Sequence, residues 1–297
     1  MRVDPAYVSN LVSALDSAQG REQQLTGELS SGLRFNALGD DPAAAGRNVL
    51  LLNQIQRDDS FTQGSSLVTG HLQVADSALG SVVAQLTQAI ALATSANNGT
   101  MNASDVQSIG AQISGILSEV ESLANSSYQG QYIFGGGQTT TVPFSTSSAS
   151  PGVTTYSGDS DVNYLVTPNG QKIQLNVPGD QIFLGSNSVF GVLNSLAADF
   201  ASGTVNAAQA AQDTQALTAS LNYVSKQRVT IDNAMTQLSS ASTAITTEQT
   251  QLTAAQTNLM QADLATVATQ LSLSKTQDAA LEAVISQLGS ESLFDKL

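Results

Sequence analysis

Cysteine and tryptophan are absent from this chain, and histidine occurs once, at His71. Without cysteine there is no disulfide framework, no thiolate nucleophile and no sulfur-ligated metal. With one histidine, Ser–His catalysis and histidine metal clusters lose their usual base or ligand. Charge is also scarce, at 11% against the roughly 25% of an ordinary soluble domain. Aromatics are 5% of residues, so a core of Leu, Ile, Val and Ala is expected, which favours slim helix-on-helix packing. Long apolar runs are missing too. No segment approaches about 18 uninterrupted apolar residues, and no apolar stretch of signal-peptide type opens the chain.

What charge there is runs negative, at −14 over 297 residues with a pI near 4.1. Binding nucleic acid needs clustered Lys and Arg, and the four Lys are scattered. Five of the six Arg fall in the first 57 residues (Arg2, Arg21, Arg34, Arg47, Arg57), interleaved with carboxylates and without aromatic partners. They read as a solvated helix face.

The apolar residues that are present follow a helical period. Near the N-terminus Val8, Leu11, Leu15, Ala18, Leu25 and Leu29 keep three-and-four spacing, interrupted at Glu22. Near the C-terminus Leu264, Val267, Leu271, Leu281, Ile285 and Leu288 do the same, interrupted at Ser274 and Asp278. Such a line can be covered only by another helix. The two chain ends should therefore lie side by side, as the assembly interface of a self-associating subunit.

Between them the spacing predicts a first helix from Asp4-Pro5 to about Gly32, and a second from Asp41-Pro42 to about Ala96. In both, Asp serves as cap and Pro takes the first helical position. Gly64, Gly70 and Gly80 weaken the second helix and permit a bend. Ser104 with Gln107 reads as a capping box for a third helix, striped by Val106, Ile109, Ile113, Ile116, Val120 and Leu123, that folds back on the second. From Gly135 the composition turns to Gly, Thr, Ser and Pro. Alternation of Ile173, Leu175 and Val177 with outward Gln174 and Asn176 predicts a strand after a hairpin tip at Pro168-Asn169-Gly170. A short helix over Val189–Ala201 closes at Gly203. From about Asn206 the chain is helical again, with Val224, Ile231, Leu238, Ile245, Leu252 and Leu259 every seven residues, then a phase change that marks a bend or a new partner.

The expected fold is mainly α: a long antiparallel helical rod with paired N- and C-terminal helices and a small β-rich domain inserted in the middle. Its divisions are 1–40 with 260–297, 41–135 with 203–259, and the insert 136–202.

Candidate chemistry is sparse. His71 reads as a half-exposed structural residue. Gly135-Gly136-Gly137 lacks the Lys-Ser/Thr of a phosphate loop and reads as a flexible junction. Asp159, Asp161 and Asn163 begin like a calcium loop, but Tyr164 stands where Gly is required and Gly170 where the bidentate Glu belongs, so a turn is expected. Asp40-Asp41 and Asp58-Asp59 sit at adjacent positions that do not face each other. No catalytic constellation and no enzyme activity are expected.

The stretch Ser31-Gly32-Leu33-Arg34-Phe35-Asn36-Ala37-Leu38-Gly39-Asp40-Asp41-Pro42-Ala43 resembles the S-G-x-R-x-N-x-A-x-D-D-P-A signature of the flagellin superfamily of bacterial flagellar axial proteins. Ala37 falls one residue early, and Gly39 replaces the commoner Ser or Ala. The segment Gln261 to Thr269 is similar to the family's D-x-x-A stretch before its last helix. Gln131-Tyr132-Ile133-Phe134-Gly135-Gly136 with Thr139, Pro143 and Phe144, then Tyr156-Ser157-Gly158-Asp159 and Asn176-Val177-Pro178-Gly179 with Phe183, resemble the hook-associated branch at the hook–filament junction. The closing Ser292 to Leu297 fits a family tail.

The resemblance implies a structural subunit, without cofactor or catalytic residue, whose terminal helices line a tube while the insert projects outward. It implies signature residues Ser31, Gly32, Arg34, Asn36, Asp40, Asp41 and Pro42. The implied partners are other copies of itself, the hook-side protein (hook-associated protein 1, FlgK), flagellin and a type III export chaperone. It also implies an extracellular place in the flagellum, reached by type III export without a cleaved signal, and no nucleic-acid or membrane partner. The rivals are a short flagellin that forms the filament itself, an enzyme housed in the insert, and an intracellular coiled-coil scaffold.

Overall fold

The computed structural model describes residues 5–35, 39–97, 101–146, 154–185 and 188–294. Its helices are α1 (Pro5–Ser31), α2 (Pro42–Ala96), α3 (Ala103–Ala124), α4 (Gly179–Phe183), α5 (Val189–Ala201), α6 (Ala207–Met260) and α7 (Leu264–Phe294). Three antiparallel hairpins lie between α3 and α4. They pair β1 (Ser127–Tyr128) with β2 (Gln131–Tyr132), β3 (Phe144–Thr146) with β4 (Thr154–Tyr156), and β5 (Tyr164–Val166) with β6 (Lys172–Gln174). The fold is mainly α with a small β-containing segment in the middle, as the sequence predicts.

The chain forms two compact units: Met1–Gln56 with Thr247–Leu297, and Arg57–Thr246. In the second, one core joins the helices and the hairpins. Leu72, Ala75, Leu79, Val82, Leu86 and Ala89 of α2 are buried, as are Leu217, Val224, Ile231 and Leu238 of α6. Arg228 of α6 clips Asp76 of α2 through two hydrogen bonds of 2.7 and 3.0 Å. Instead of breaking α2, Gly70 makes room for a partner. A Cβ at Gly70 would collide with the Tyr128 hydroxyl, and one at Gly80 would lie 3.5 Å from the Arg228 guanidinium. By length and composition α2 is apolar enough to cross a membrane, yet its residues from Leu72 to Ala96 at helical spacing belong to this core.

Several local expectations need correcting. The cap of α3 is Asn102, whose side chain accepts from the Asp105 amide at 2.9 Å, and Ser104 lies inside the helix. Because the helix begins two residues earlier, the orphan amide to be capped is that of Asp105, and the Asn102 side chain takes it. The helix α3 approaches most closely is α5, where Gly110 lets the backbone at Phe200–Ala201 come in. Asn176 does not face outward. It is buried, accepting from the Asn163 amide at 2.8 Å and donating to the Asp161 carbonyl at 3.0 Å. The strand β6 is correspondingly short.

The core is also not purely aliphatic. Phe134, Phe144, Phe183 and Phe190 pack with centroids 5.2–5.5 Å apart where the hairpins meet α4 and α5. Tyr156 joins Phe144 at 5.0 Å. Its hydroxyl proton is shared between the carbonyls of Phe134 and Asp159, at 2.9 and 2.8 Å. Burial, followed by the Asp180 charge, pushes this phenol up to about 12 and keeps it a donor. With few aromatics in the chain, concentrating them here gives a small β-containing segment the volume of a core.

Asp213 of α6 is buried, and only one carboxylate oxygen finds a partner, the Gln209 amide at 3.2 Å. Burial pushes its carboxyl up, and the neighbouring Asp199 adds to the effect. A folded value above the unfolded one means that this group favours folding at acid pH and ceases to do so as pH rises through the folded value. Asp213→Asn is therefore expected to raise the melting temperature near neutral pH. The gain should shrink toward zero below about pH 4, where the wild-type carboxyl is protonated in both states. Thermal melts of both proteins across pH measure this.

The paired chain ends and their signature turn

The first unit is organised by two turns stitched together. After α1, Gly32 adopts φ +71, and its amide donates to the Glu28 carbonyl at 2.8 Å, ending the helix. Ser31 Oγ donates to the Gly27 carbonyl at 2.8 Å and accepts from the Leu33 amide at 3.2 Å. The turn then pairs with the α6–α7 junction. Leu33 bridges Gln261 antiparallel, the Arg34 amide donates to the Met260 carbonyl at 2.7 Å, and the Ala262 amide donates to the Gly32 carbonyl at 2.9 Å. The phase change seen in the heptads is this break at Gln261–Asp263.

Beneath the stitch, Phe35 is buried with Ala44 and Ala45 of α2, against Leu259 and Met260. Arg34 reaches forward to Asp41, whose carboxylate it meets at 3.0 Å. The other oxygen of Asp41 accepts the Ala44 amide at 2.9 Å and caps α2, with Pro42 at the first position. The Ala44 amide, helped by the Arg34 guanidinium, holds the Asp41 carboxyl below the usual carboxylate range. Asp263 caps α7 in the same way, and the Thr266 hydroxyl and amide hold it down. Both depressed carboxylates stabilise the fold above the carboxylate range, and that contribution fades as pH falls through their folded values. Asp40 is exposed, and Asn36 lies outside the described residues.

Gly32 is the one position here whose backbone demands glycine. A Cβ there would meet nothing within 4 Å, so substitution is opposed by conformation alone. Gly32→Ala is expected to destabilise this unit by about 1–2 kcal/mol, the usual cost of a left-handed residue with a Cβ. Chemical denaturation followed by a probe on α1 measures it.

From this stitch α1 and α7 run antiparallel to each other. Leu25, Ala262 and Val267 form a buried cluster with Leu271 packed against it. Leu11, Leu15, Leu281 and Ile285 are half-buried, while Leu29 and Leu264 are 40% and 48% exposed. The side chains of Val8 and Leu288 lie outside the described residues. The polar breaks in the stripes prove to face the seam. Ser274 is buried and donates to the Ala18 carbonyl at 3.4 Å, Asp278 is buried, and Glu22 lies 3.8 Å from Lys275. Other apolar side chains on this unit stay in water, Leu50 at 69% and Leu273 at 60% exposure among them.

His71 is half-buried beside Tyr128 and Tyr132 in a cavity of about 340 Å³, and burial pushes its imidazole down, toward the neutral form. Gly135 to Gly137 is a close-packed corner, not a flexible joint. The Gly137 amide donates to Asp159 at 2.6 Å, and a Cβ at Gly136 would strike Asp159. Asp159 is thus spent on this corner and on the Asp161 amide at 3.1 Å, as the turn reading expects. Among the described residues no group of three His, Asp or Glu is placed to hold a metal ion.

Residues 6–139 match the family model of the bacterial flagellin N-terminal helical region. More particularly, the chain is similar to flagellar hook-associated protein 3. It is 29% identical over 139 residues to that of Salmonella typhimurium, covering 46% of this chain and 44% of the relative. Against that of Escherichia coli it is 26% identical over 186 residues, covering 62% and 57%. The chain thus spans about half the length of these relatives. A solved flagellar hook-associated protein from Vibrio parahaemolyticus shares the fold, with a TM-score of 0.67 at 19% identity over 75% of this chain and all of that one.

Proposed function

We propose that this protein is a structural subunit of the bacterial flagellum, a hook-associated junction protein that connects the hook side to the flagellin filament. One observation carries the reading: the signature turn is built into a stitch with the α6–α7 junction, fixing α1 against α7 while apolar side chains on both helices stay in water. A monomer gains nothing from exposing Leu264 and Leu273, whereas a subunit that buries them against neighbours gains on the order of 1.5–3 kcal/mol for each. In this reading residues 1–40 with 260–297 form the inner assembly layer, 41–135 with 203–259 the surrounding helical layer, and 136–202 the outward part. The seam residues from Val8 to Leu29 and from Leu264 to Leu288 hold the pair together, and exposed ones such as Leu29 and Leu264 supply the lattice contact.

Its partners in this role are further copies in a ring, hook-associated protein 1 on one side and flagellin on the other, with an export chaperone before assembly. The protein is carried out by the flagellar type III apparatus and has no catalytic part in the structure it joins. Immunogold labelling of intact flagella tests the assignment. A single band near the base is expected. Staining along the filament would replace it with a short flagellin, and no label on flagella would overturn both readings.

A further inference from the structure

Where the β1–β2 hairpin meets α2 lies a cavity of about 340 Å³, a volume at the lower end of the range for small-ligand pockets. Its polar wall is made by His71, Tyr128, Gln129, Gln131, Tyr132 and Asn163. Among the described residues none of these side chains has a hydrogen-bond partner. Leu67, Val68 and Leu175 supply an apolar wall, and no described residue of the lining carries a charge.

The hairpin presents this wall at a conformational cost. Gln129 and Gly130 form its two-residue loop with φ +51 and +79, the positive pair that a type I′ turn requires. Gly130 suits such a loop, whereas Gln129 is the one non-glycine with positive φ among the described residues. Asn, Asp or Gly would take that position more readily. Local folding therefore does not account for a glutamine, and its side chain lines the cavity. Tyr128 is held as well. Its hydroxyl occupies the space that a Cβ at Gly70 would need, which rests it on α2 beside His71. Burial keeps the imidazole of His71 toward its neutral form, with one donor and one acceptor.

The lining decides the class of ligand. Without Lys or Arg it offers nothing to neutralise a phosphate or carboxylate, and without Asp or Glu nothing to hold an amine or a metal ion. A wholly apolar ligand would leave carboxamides and phenols covered and unpaired. A neutral ligand rich in hydroxyls satisfies both walls, because each hydroxyl donates and accepts, as do the carboxamides and the imidazole. We propose that this cavity binds a neutral sugar, its C–H face against Tyr128 and Tyr132 and its hydroxyls on His71, Gln129, Gln131 and Asn163. All of these residues belong to Arg57–Thr246, so the site stands or falls independently of the assembly role of the chain ends.

His71 is the single histidine of the chain, so its imidazole gives one isolated set of NMR signals that reports on the cavity. The whole chain is titrated with methyl glycosides of glucose, galactose, mannose and N-acetylglucosamine, beside glucuronate and glucosamine as charged controls. At least one neutral glycoside is expected to shift the signals saturably, with millimolar affinity. The charged controls should bind at least about tenfold more weakly, since the lining offers no counter-charge. Gln129→Gly relieves the loop, so its melting temperature should not fall, while affinity for the sugar drops at least about threefold. Tyr132→Leu retains apolar bulk and should lose at least about tenfold. A longer oligosaccharide of the sugar that binds identifies the source: tighter binding points to a glycan chain, equal binding to a free sugar, and either upholds the site. No saturable shift with any neutral sugar, charged controls that bind equally well, or either variant binding as wild type does would overturn the proposal.

Discussion

Leu271→Asp is expected to leave Arg57–Thr246 folded and to abolish entry into the flagellum. Leu271 packs on the buried apolar cluster of Leu25, Ala262 and Val267, which joins α1 to the start of α7. Removing its side chain from that contact forfeits on the order of 2 kcal/mol of burial. The new carboxylate adds a desolvation cost as long as the seam stays closed over it. A seam this small has little reserve, so α1 and α7 should part. The larger unit keeps its own core of α2, α3, α5 and α6 and should melt as wild type does. Immunoblots of sheared flagella read incorporation, and calorimetry reads the core. Normal incorporation would remove the seam from the account.

Phe144→Ala is expected to do the reverse. Phe144 is 1% exposed at the centre of the ring cluster, touching Phe183, Phe190 and Tyr156. Its backbone is held at both ends by the Asn125 side chain, at 2.8 and 2.9 Å, so the chain cannot slide to fill the space. A buried Phe replaced by Ala costs about 3–5 kcal/mol when the site does not collapse. That is a large fraction of a domain's stability. The variant should show a strongly lowered melting transition in the unit that holds the hairpins, while the backbone stitch at Gly32, Leu33 and Arg34 stays intact. Urea titration followed by tyrosine fluorescence measures the loss, because Tyr156 reports on the same cluster.

Helices were the most legible part of this sequence, because burial against another helix imposes a period that single residues cannot hide. The start of Pro42–Ala96 follows from the Asp41 cap and the proline after it, and the end of Val189–Ala201 from the closing Gly203. The hairpins were legible only where a turn announced them, as at Pro168-Asn169-Gly170, where Gly170 takes φ +84 and its amide donates to Thr167. The aromatic cluster was not legible, since Phe134, Phe144, Phe183 and Phe190 come from four separate segments with no shared spacing. Composition spoke against aromatics while topology gathered them.

The same limit applies to the site. The signature could be recognised as a motif, but nothing local reveals that Gly32 and Arg34 bond across to Ala262 and Met260, more than two hundred residues away. Ser274 and Asp278 looked like faults in a stripe. In three dimensions they face α1, and a polar residue that keeps the phase of an apolar stripe is the signal that could have found them. Two of the glycines misled. Gly70 and Gly136 looked like weak points and are close contacts, because absence of a side chain in the sequence does not say which neighbour fills the space.

Central to the account is that the α1–α7 pair completes its burial only against adjacent copies. Amide hydrogen exchange on the dilute protein and on purified flagella tests this most directly. Apolar contacts are sparse along the seam and dense around α3 and α5, and local opening follows that difference. The account predicts that residues 9–31 and 264–287 exchange at least about a hundredfold faster than α3 in the free protein, and become protected in flagella. Equal protection of α1, α7 and α3 in the dilute protein, unchanged on assembly, would contradict it.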